Sequence, residues 1–221
     1  LTKTAHSIKS SGSKTTNLPF NGQAVLFAGL LAAILGNGCA TPTVGSPDLF
    51  NGKDLDGWDG KPGAWEVRDT EIWCTGKSKE KNWLIWRKDQ LANFILRLDF
   101  RWDKGNSGVQ VRSDDLGKWQ VFGYQAEVAE QVKMGLWHHS LLAKEHPKKK
   151  ARHLMATAGQ VATLAPDGSK TVKQGWDSKK VQSHFKEHEW NTMEIIAKGP
   201  KLIHKVNGVI FATVILSLIH I

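Results

Sequence analysis

Tyrosine is almost absent from this 221-residue sequence, which holds one, and cysteine is scarce at two. Two cysteines, at 39 and 74, cannot build the multi-bridge framework of small disulfide scaffolds. Cys74, beside Trp73 in a strand-like stretch, reads as a small buried hydrophobe rather than a nucleophile. Long apolar runs are missing as well. Ala24 to Leu35 is uninterrupted but falls short of the roughly 20 residues a membrane helix needs. Nor does any long stretch carry a 3.6-residue apolar period, so a helical bundle is excluded, and no internal repeat is visible.

Tryptophan, in contrast, is abundant: ten residues, all after Cys39. The indole ring offers a large apolar face and one N–H donor, which suits cores and also suits stacking on sugar rings. The net charge is +9. Part of it (Lys3, Lys9, Lys14) lies near the start, and another part is the polar run Lys144 to Arg152 with Pro147. No nucleic-acid-binding motif accompanies these charges, so the run reads as a solvated loop and nucleic acid is not an expected partner.

The first 39 residues have the layout of an export leader. A Lys-bearing segment precedes the apolar run, and Gly36, Asn37, Gly38 and Cys39 follow. The end resembles a lipobox, with Leu35 one place further from the cysteine than usual. Cys39 is therefore the expected lipidation site. The chain is expected to be exported, as a periplasmic or outer-membrane or cell-surface lipoprotein held to the membrane by its lipid alone. Residues 40–47 read as a linker, 48–214 as one folded domain, and the apolar 215–221 as a truncated or non-native tail.

Within the domain, short alternating segments are separated by turn residues. Trp65–Arg68 and Glu71–Cys74 flank Asp69-Thr70 as a hairpin. Phe94 to Trp102 alternates strictly, Val109 and Val111 alternate with Gln110 and Arg112, and Tyr124, Ala126 and Val128 alternate with Gln125 and Glu127. Thr192 to Lys198, Leu202 to Val206 and Val209 to Val214 complete the set, the last two joined by the strong hairpin turn Asn207-Gly208. The pattern predicts an all-β fold, an antiparallel sandwich or jelly roll.

The alternation puts Arg97, Asp99, Arg101, Gln110, Arg112, Gln125 and Glu127 on non-core faces. If their strands are neighbours, these planar hydrogen-bonding groups form one polar surface, rimmed by Trp, suited to a polyhydroxylated ligand.

Several of these segments are similar to the 3-keto-disaccharide hydrolase domain family. Leu49-Phe50-Asn51-Gly52-Lys53-Asp54-Leu55-Asp56-Gly57-Trp58 resembles its opening signature, and Phe94 to Arg101 its following strand. Gly105-Asn106-Ser107-Gly108-Val109 with Arg112 resembles its glycine-bounded turn. Gly123-Tyr124-Gln125-Ala126-Glu127 resembles a strand in which Gln and Glu are exchanged between two polar positions. Trp190-Asn191, Gly199 and Asn207-Gly208 match its closing segments. The resemblance implies a concanavalin A-like jelly roll acting on a carbohydrate.

Glycosidic cleavage commonly uses two carboxyl groups, and Asp99 and Glu127 are the natural pair to test. In a 3-keto sugar the ketone acidifies the neighbouring C–H, so elimination needs one base and an electrophile. Glu127 is the candidate base, and Arg112 or a divalent metal the candidate electrophile. Gln125, Asn106, Ser107, Gln110 and Arg101 are candidate substrate contacts, with Trp137 beside them and His138 as a proton shuttle or ligand. A noncatalytic lectin-like module on the same face is the alternative, and an adhesion or envelope domain needs no site at all. His184-Phe185-Lys186-Glu187-His188 fits a zinc-peptidase pattern that works only on a helix, and here it precedes a strand. Asn51 to Gly57 lacks the terminal bidentate Glu of a calcium loop.

Overall fold

A computed structural model of the chain describes residues 6–9, 48–139 and 152–217. Cys39, the apolar run, the linker 40–47, residues 140–151 of the basic loop region and the end of the tail lie outside the described residues.

Fifteen strands and one short helix are described: β1 His6–Lys9, β2 Trp58–Asp59, β3 Trp65–Arg68, β4 Glu71–Cys74, β5 Ile85–Trp86, β6 Phe94–Trp102, β7 Ser107–Gly117 and β8 Gln120–Val128, then β9 Gly135–His139, β10 Arg152–Thr157, β11 Gln160–Leu164, β12 Lys170–Gln174, α1 Ser178–Gln182, β13 Trp190–Lys198, β14 Lys201–Val206 and β15 Val209–Ile215. They form a nine-stranded sheet (β12-β11-β15-β14-β13-β6-β1-β4-β3), a four-stranded sheet (β10-β9-β8-β7) and the small pair β2-β5. The fold is a jelly-roll β-sandwich. All pairings are antiparallel except β11 with β15.

The two main sheets bury their facing sides. Phe94, Leu98, Phe100 and Trp102 on β6 meet Val111, Tyr124, Ala126, Val128 and Leu136 from the smaller sheet. Each large apolar side chain removed from water contributes about 1.5–3 kcal/mol. The hairpin turns fall where the sequence puts them. Asp69 and Thr70 both adopt positive φ, 48° and 66°, as do Asn207 and Gly208, at 49° and 81°. That handedness matches the twist of the flanking strands.

Two findings refine the sequence reading. Strand β1 comes from the segment read as a leader, and it pairs with both β4 and β6. At the other end, Leu216 of the apolar tail is buried in the core, and its N–H donates to the Pro200 carbonyl at 2.8 Å. The zinc-peptidase-like segment is no helix. It is a turn in which Phe185 packs into the core and the His188 ring stacks on Trp102 at 5.7 Å.

Candidate functional site

Among the described residues strand β7 ends the four-stranded sheet, and a cavity of about 1460 Å³ runs along it. Its lining includes Trp58 and Trp86 of the β2–β5 flap, Trp83 just before β5, and Trp65 of β3. The flap is pinned to the β7–β8 hairpin by charge. Arg87 donates to Asp59 at 2.7 Å and to Asp115 at 2.6 Å, and the Trp119 indole donates to Asp59 at 2.6 Å. The Arg87 and Trp119 hydrogen bonds hold the Asp59 carboxyl below the usual range.

One bank of the cavity is built on the outward face of β7 and β8. Gln110 stands opposite Gln125 across the ladder, and Gly108 stands opposite Glu127. The Gln125 Nε2 donates to Glu127 Oε2 at 2.9 Å and to the Ser107 carbonyl at 3.2 Å. Asn106 Nδ2 donates to the other oxygen, Oε1, of Glu127. Glu127 is wholly buried and does not itself line the cavity, whereas Asn106, Gln110 and Gln125 do. Both polar atoms of the Gln110 amide are buried without a partner.

The second bank lies on the opposite side of β7. The alternation fails between Val111 and Asp114, where the register slips and Arg112 takes a positive φ of 49°. This bulge moves Arg112 out of the polar row that strict alternation assigns to it. Its Nη2 donates to the Ala92 carbonyl at 3.3 Å, and its Nη1 is buried without a partner. Burial pushes the guanidinium below its ordinary pKa, and interaction with Tyr124 opposes that shift. The Tyr124 phenol is pushed up to about 12 by burial, so it stays a hydrogen-bond donor at neutral pH. His138, directly across the ladder from Tyr124, sets its ring edge-on to Tyr124 at 4.8 Å and to Phe122 at 4.7 Å. Arg112, Tyr124 and His138 all line the cavity.

The cavity lining thus holds Asn106, Ser107, Gln110 and Gln125 on one side of β7, with Glu127 buried behind them, and Arg112 and His138 on the other. Trp137 stands beside Gln125 in register but is absent from the cavity lining, and its indole N–H donates to the Lys133 carbonyl at 3.1 Å. Asp99 and Arg101 are elsewhere, which corrects the expectation of a single polar sheet face. They lie on the outward side of β6, in the other sheet, where Asp99 accepts from the Thr192 hydroxyl at 2.7 Å. Arg101 stands over the rings of Trp73 and Trp190 at 5.8 and 5.3 Å. The premise that β6 neighbours β7 and β8 fails because alternation fixes which face of a strand turns inward, not which sheet the strand joins. Asp99 and Glu127 therefore do not form a carboxylate pair.

Tyr124 was hidden from sequence reasoning because its position marks it as core, which it also is. Its being the single tyrosine was the available signal. Cys74 also lines the cavity, but burial pushes its thiol up, away from the reactive thiolate. Among the described residues no group of three or more His, Cys, Asp or Glu side chains is arranged to hold a metal ion.

Comparison with known proteins agrees with the sequence resemblance. No curated protein matches the chain. Among solved structures it is similar to the crystal structure of a protein provisionally titled a glycosyl hydrolase from Parabacteroides distasonis. The identity is 18%, over 75% of this chain and 70% of that one, with a TM-score of 0.44. Residues 45–217 match the 3-keto-alpha-glucoside-1,2-lyase-like domain, and the chain belongs to this carbohydrate-active family.

Proposed function

We propose that the chain is an exported, lipid-anchored hydrolase or lyase acting on 3-keto-glycosides at the cavity along β7. The observation that carries this reading is the set of buried, unpartnered polar atoms in the cavity wall, both ends of the Gln110 amide and Nη1 of Arg112. Desolvated polar groups cost about 1–3 kcal/mol each when unsatisfied, a cost that a ligand rich in hydroxyl and carbonyl groups removes. Four Trp side chains in the same lining supply apolar surface for the C–H faces of sugar rings.

In this reading the substrate ketone accepts a hydrogen bond from Arg112, with the protonated Tyr124 phenol beside it. The donors stabilise the enolate that forms when the proton on the carbon between ketone and anomeric centre is removed. The electron pair then expels the glycosidic oxygen, which leaves with a proton, and water adds to the resulting enone. His138 is the group in this cluster whose ordinary pKa suits both proton transfers. Glu127, the base expected from sequence, is screened from the cavity by two amides and serves binding instead. Export rests on the leader pattern and the Cys39 context, against which stands the pairing of β1, from that same leader, with β4 and β6; the family supports the substrate class.

Incubation of purified protein with 3-keto-trehalose and 3-keto-lactose, with and without a chelator, tests activity and metal dependence together. Release of free sugar that falls with Arg112→Leu and His138→Ala supports the reading. A second reading, a noncatalytic carbohydrate-binding module, draws on the separation of Asp99 from Glu127 and on the burial of Glu127 behind the cavity lining. Saturable binding of these ligands with no product under any condition would select it.

A further inference from the structure

The buried carboxylate of Glu127 does something specific to its two amide partners. A carboxylate only accepts hydrogen bonds, so the Asn106 and Gln125 side chains must present their NH2 groups to it. The second hydrogen of Gln125 Nε2 goes to the Ser107 carbonyl at 3.2 Å, which leaves Gln125 no free donor. Both residues line the cavity, and neither amide oxygen has a hydrogen-bond donor among the described residues. The missing Cβ of Gly108 is what lets the Gln125 amide lie flat in this position.

We infer that Glu127 is a positioning residue that aims the amide oxygens of Asn106 and Gln125 at the cavity, and that the Gln125 amide, its donors both engaged, is an acceptor-only subsite selective for a donating sugar hydroxyl against a carbonyl or ether oxygen. The inference rests on the carbohydrate reading of the same cavity. It also orients the substrate. The ketone of an oxidised sugar is repelled by two amide oxygens and belongs at the opposite bank, where Arg112 Nη1 is an unpartnered donor. The unoxidised hydroxyls belong on the amide pair. Glu127→Gln keeps the shape but introduces an amide that both donates and accepts, so Asn106 loses its fixed orientation and Gln125 keeps only the longer contact to the Ser107 carbonyl.

Calorimetric titration of the full chain with trehalose and its singly deoxyfluorinated analogues tests this, since fluorine replaces a hydroxyl without being able to donate. The wild type is expected to prefer the hydroxyl at one ring position by about tenfold or more, the scale of one unsatisfied buried polar group. Glu127→Gln should bring that ratio close to one while its thermal unfolding stays near that of the wild type. Asn106→Ala, which leaves the carboxylate in place, should lower the ratio part of the way and covers a Glu127 variant that does not fold. An unchanged ratio in the variant that folds overturns the inference while leaving the carbohydrate reading intact. Side-chain amide NMR of the free protein judges the lock without any ligand. Two shifted, slowly exchanging NH2 pairs are expected in the wild type, and their persistence in Glu127→Gln overturns the positioning role. Absence of binding to every sugar while that signature is present and lost on substitution would sink the carbohydrate reading, and with it the selectivity.

Discussion

Gly108 lies under the Gln125 amide so closely that a Cβ added to it would meet Cγ at 2.5 Å and Cδ and Nε2 at 2.6 Å. Gly108 is needed here for space. Gln125 is buried and can swing aside only by leaving Glu127 and Ser107. Gly108→Ala is therefore expected to destabilise the fold by about 1–3 kcal/mol through overpacking and to weaken sugar binding by roughly tenfold or more. Urea unfolding and calorimetric titration of the same variant measure the two effects. Wild-type affinity in that variant would mean that the position of the Gln125 amide does not matter.

Tyr124 gives a spectroscopic handle because no other residue contributes a phenolate. Its pKa is raised by burial from 10 to about 12. A group whose folded pKa lies above its unfolded value stabilises fully below the unfolded one, so this contribution is present below pH 10 and is lost as pH rises toward 12. Ultraviolet titration should show the phenolate forming near pH 12 in the folded chain and near 10 in denaturant. Arg112 opposes the rise, so Arg112→Leu should move the folded midpoint higher still. A wild-type midpoint near 10 would place Tyr124 in water and remove it from the donor bank.

Much of this architecture was legible in the sequence, and the part that was not has physical causes. Phe94 to Trp102 announced itself because its two-residue period is what a half-buried strand must have, the Asn207-Gly208 turn because few residue pairs tolerate positive φ, and the Asp69-Thr70 turn only through the alternating segments on either side of it. Asn106, Gln110, Gln125 and Glu127 were found together because β7 and β8 form a local hairpin, where register follows from the turn. Asp99 was misassigned because the pairing of β6 with β13 spans about ninety residues, a relationship that no local period encodes. Arg112 was assigned to the polar row of β7, but its bulge interrupts the period that placed it there and turns it to the other side of the strand. Strand β1 escaped notice because four residues with no strong alternation carry too little pattern, while backbone pairing depends little on side chains.

His204 makes the fold acid-sensitive. The ring is fully buried on β14, tilted against Phe211 at 5.9 Å, and neither nitrogen has a well-formed hydrogen-bond partner. Burial lowers its pKa from 6.5 to about 4, and the nearby Gly135 backbone opposes that only in part. The unfolded chain therefore binds a proton that the folded chain refuses. Stability is fully present above about pH 6.5 and declines as pH falls toward 4, by about 3 kcal/mol at 1.36 kcal/mol per unit. Denaturant midpoints measured between pH 7 and 4 should show this slope, and His204→Leu should flatten it. An unaltered slope in that variant would assign the acid sensitivity to other groups.

The separation of Asp99 from Glu127 yields the sharpest test of where the chemistry lies. Asp99→Asn keeps an oxygen able to accept from Thr192 on the outward face of the larger sheet, so stability should change by less than about 1 kcal/mol. Neither Asp99 nor its partner Thr192 is part of the cavity lining, and kcat/KM on a 3-keto disaccharide should stay at the wild-type value. Arg112→Leu alters the electrophile and should depress kcat more than it raises KM, because the enolate needs the donor more than the ketone does. Were Asp99→Asn inactive and Arg112→Leu active, the reaction would belong to the Trp73–Arg101–Trp190 surface of the larger sheet. The cavity along β7 would then have to be read as a binding groove without chemistry.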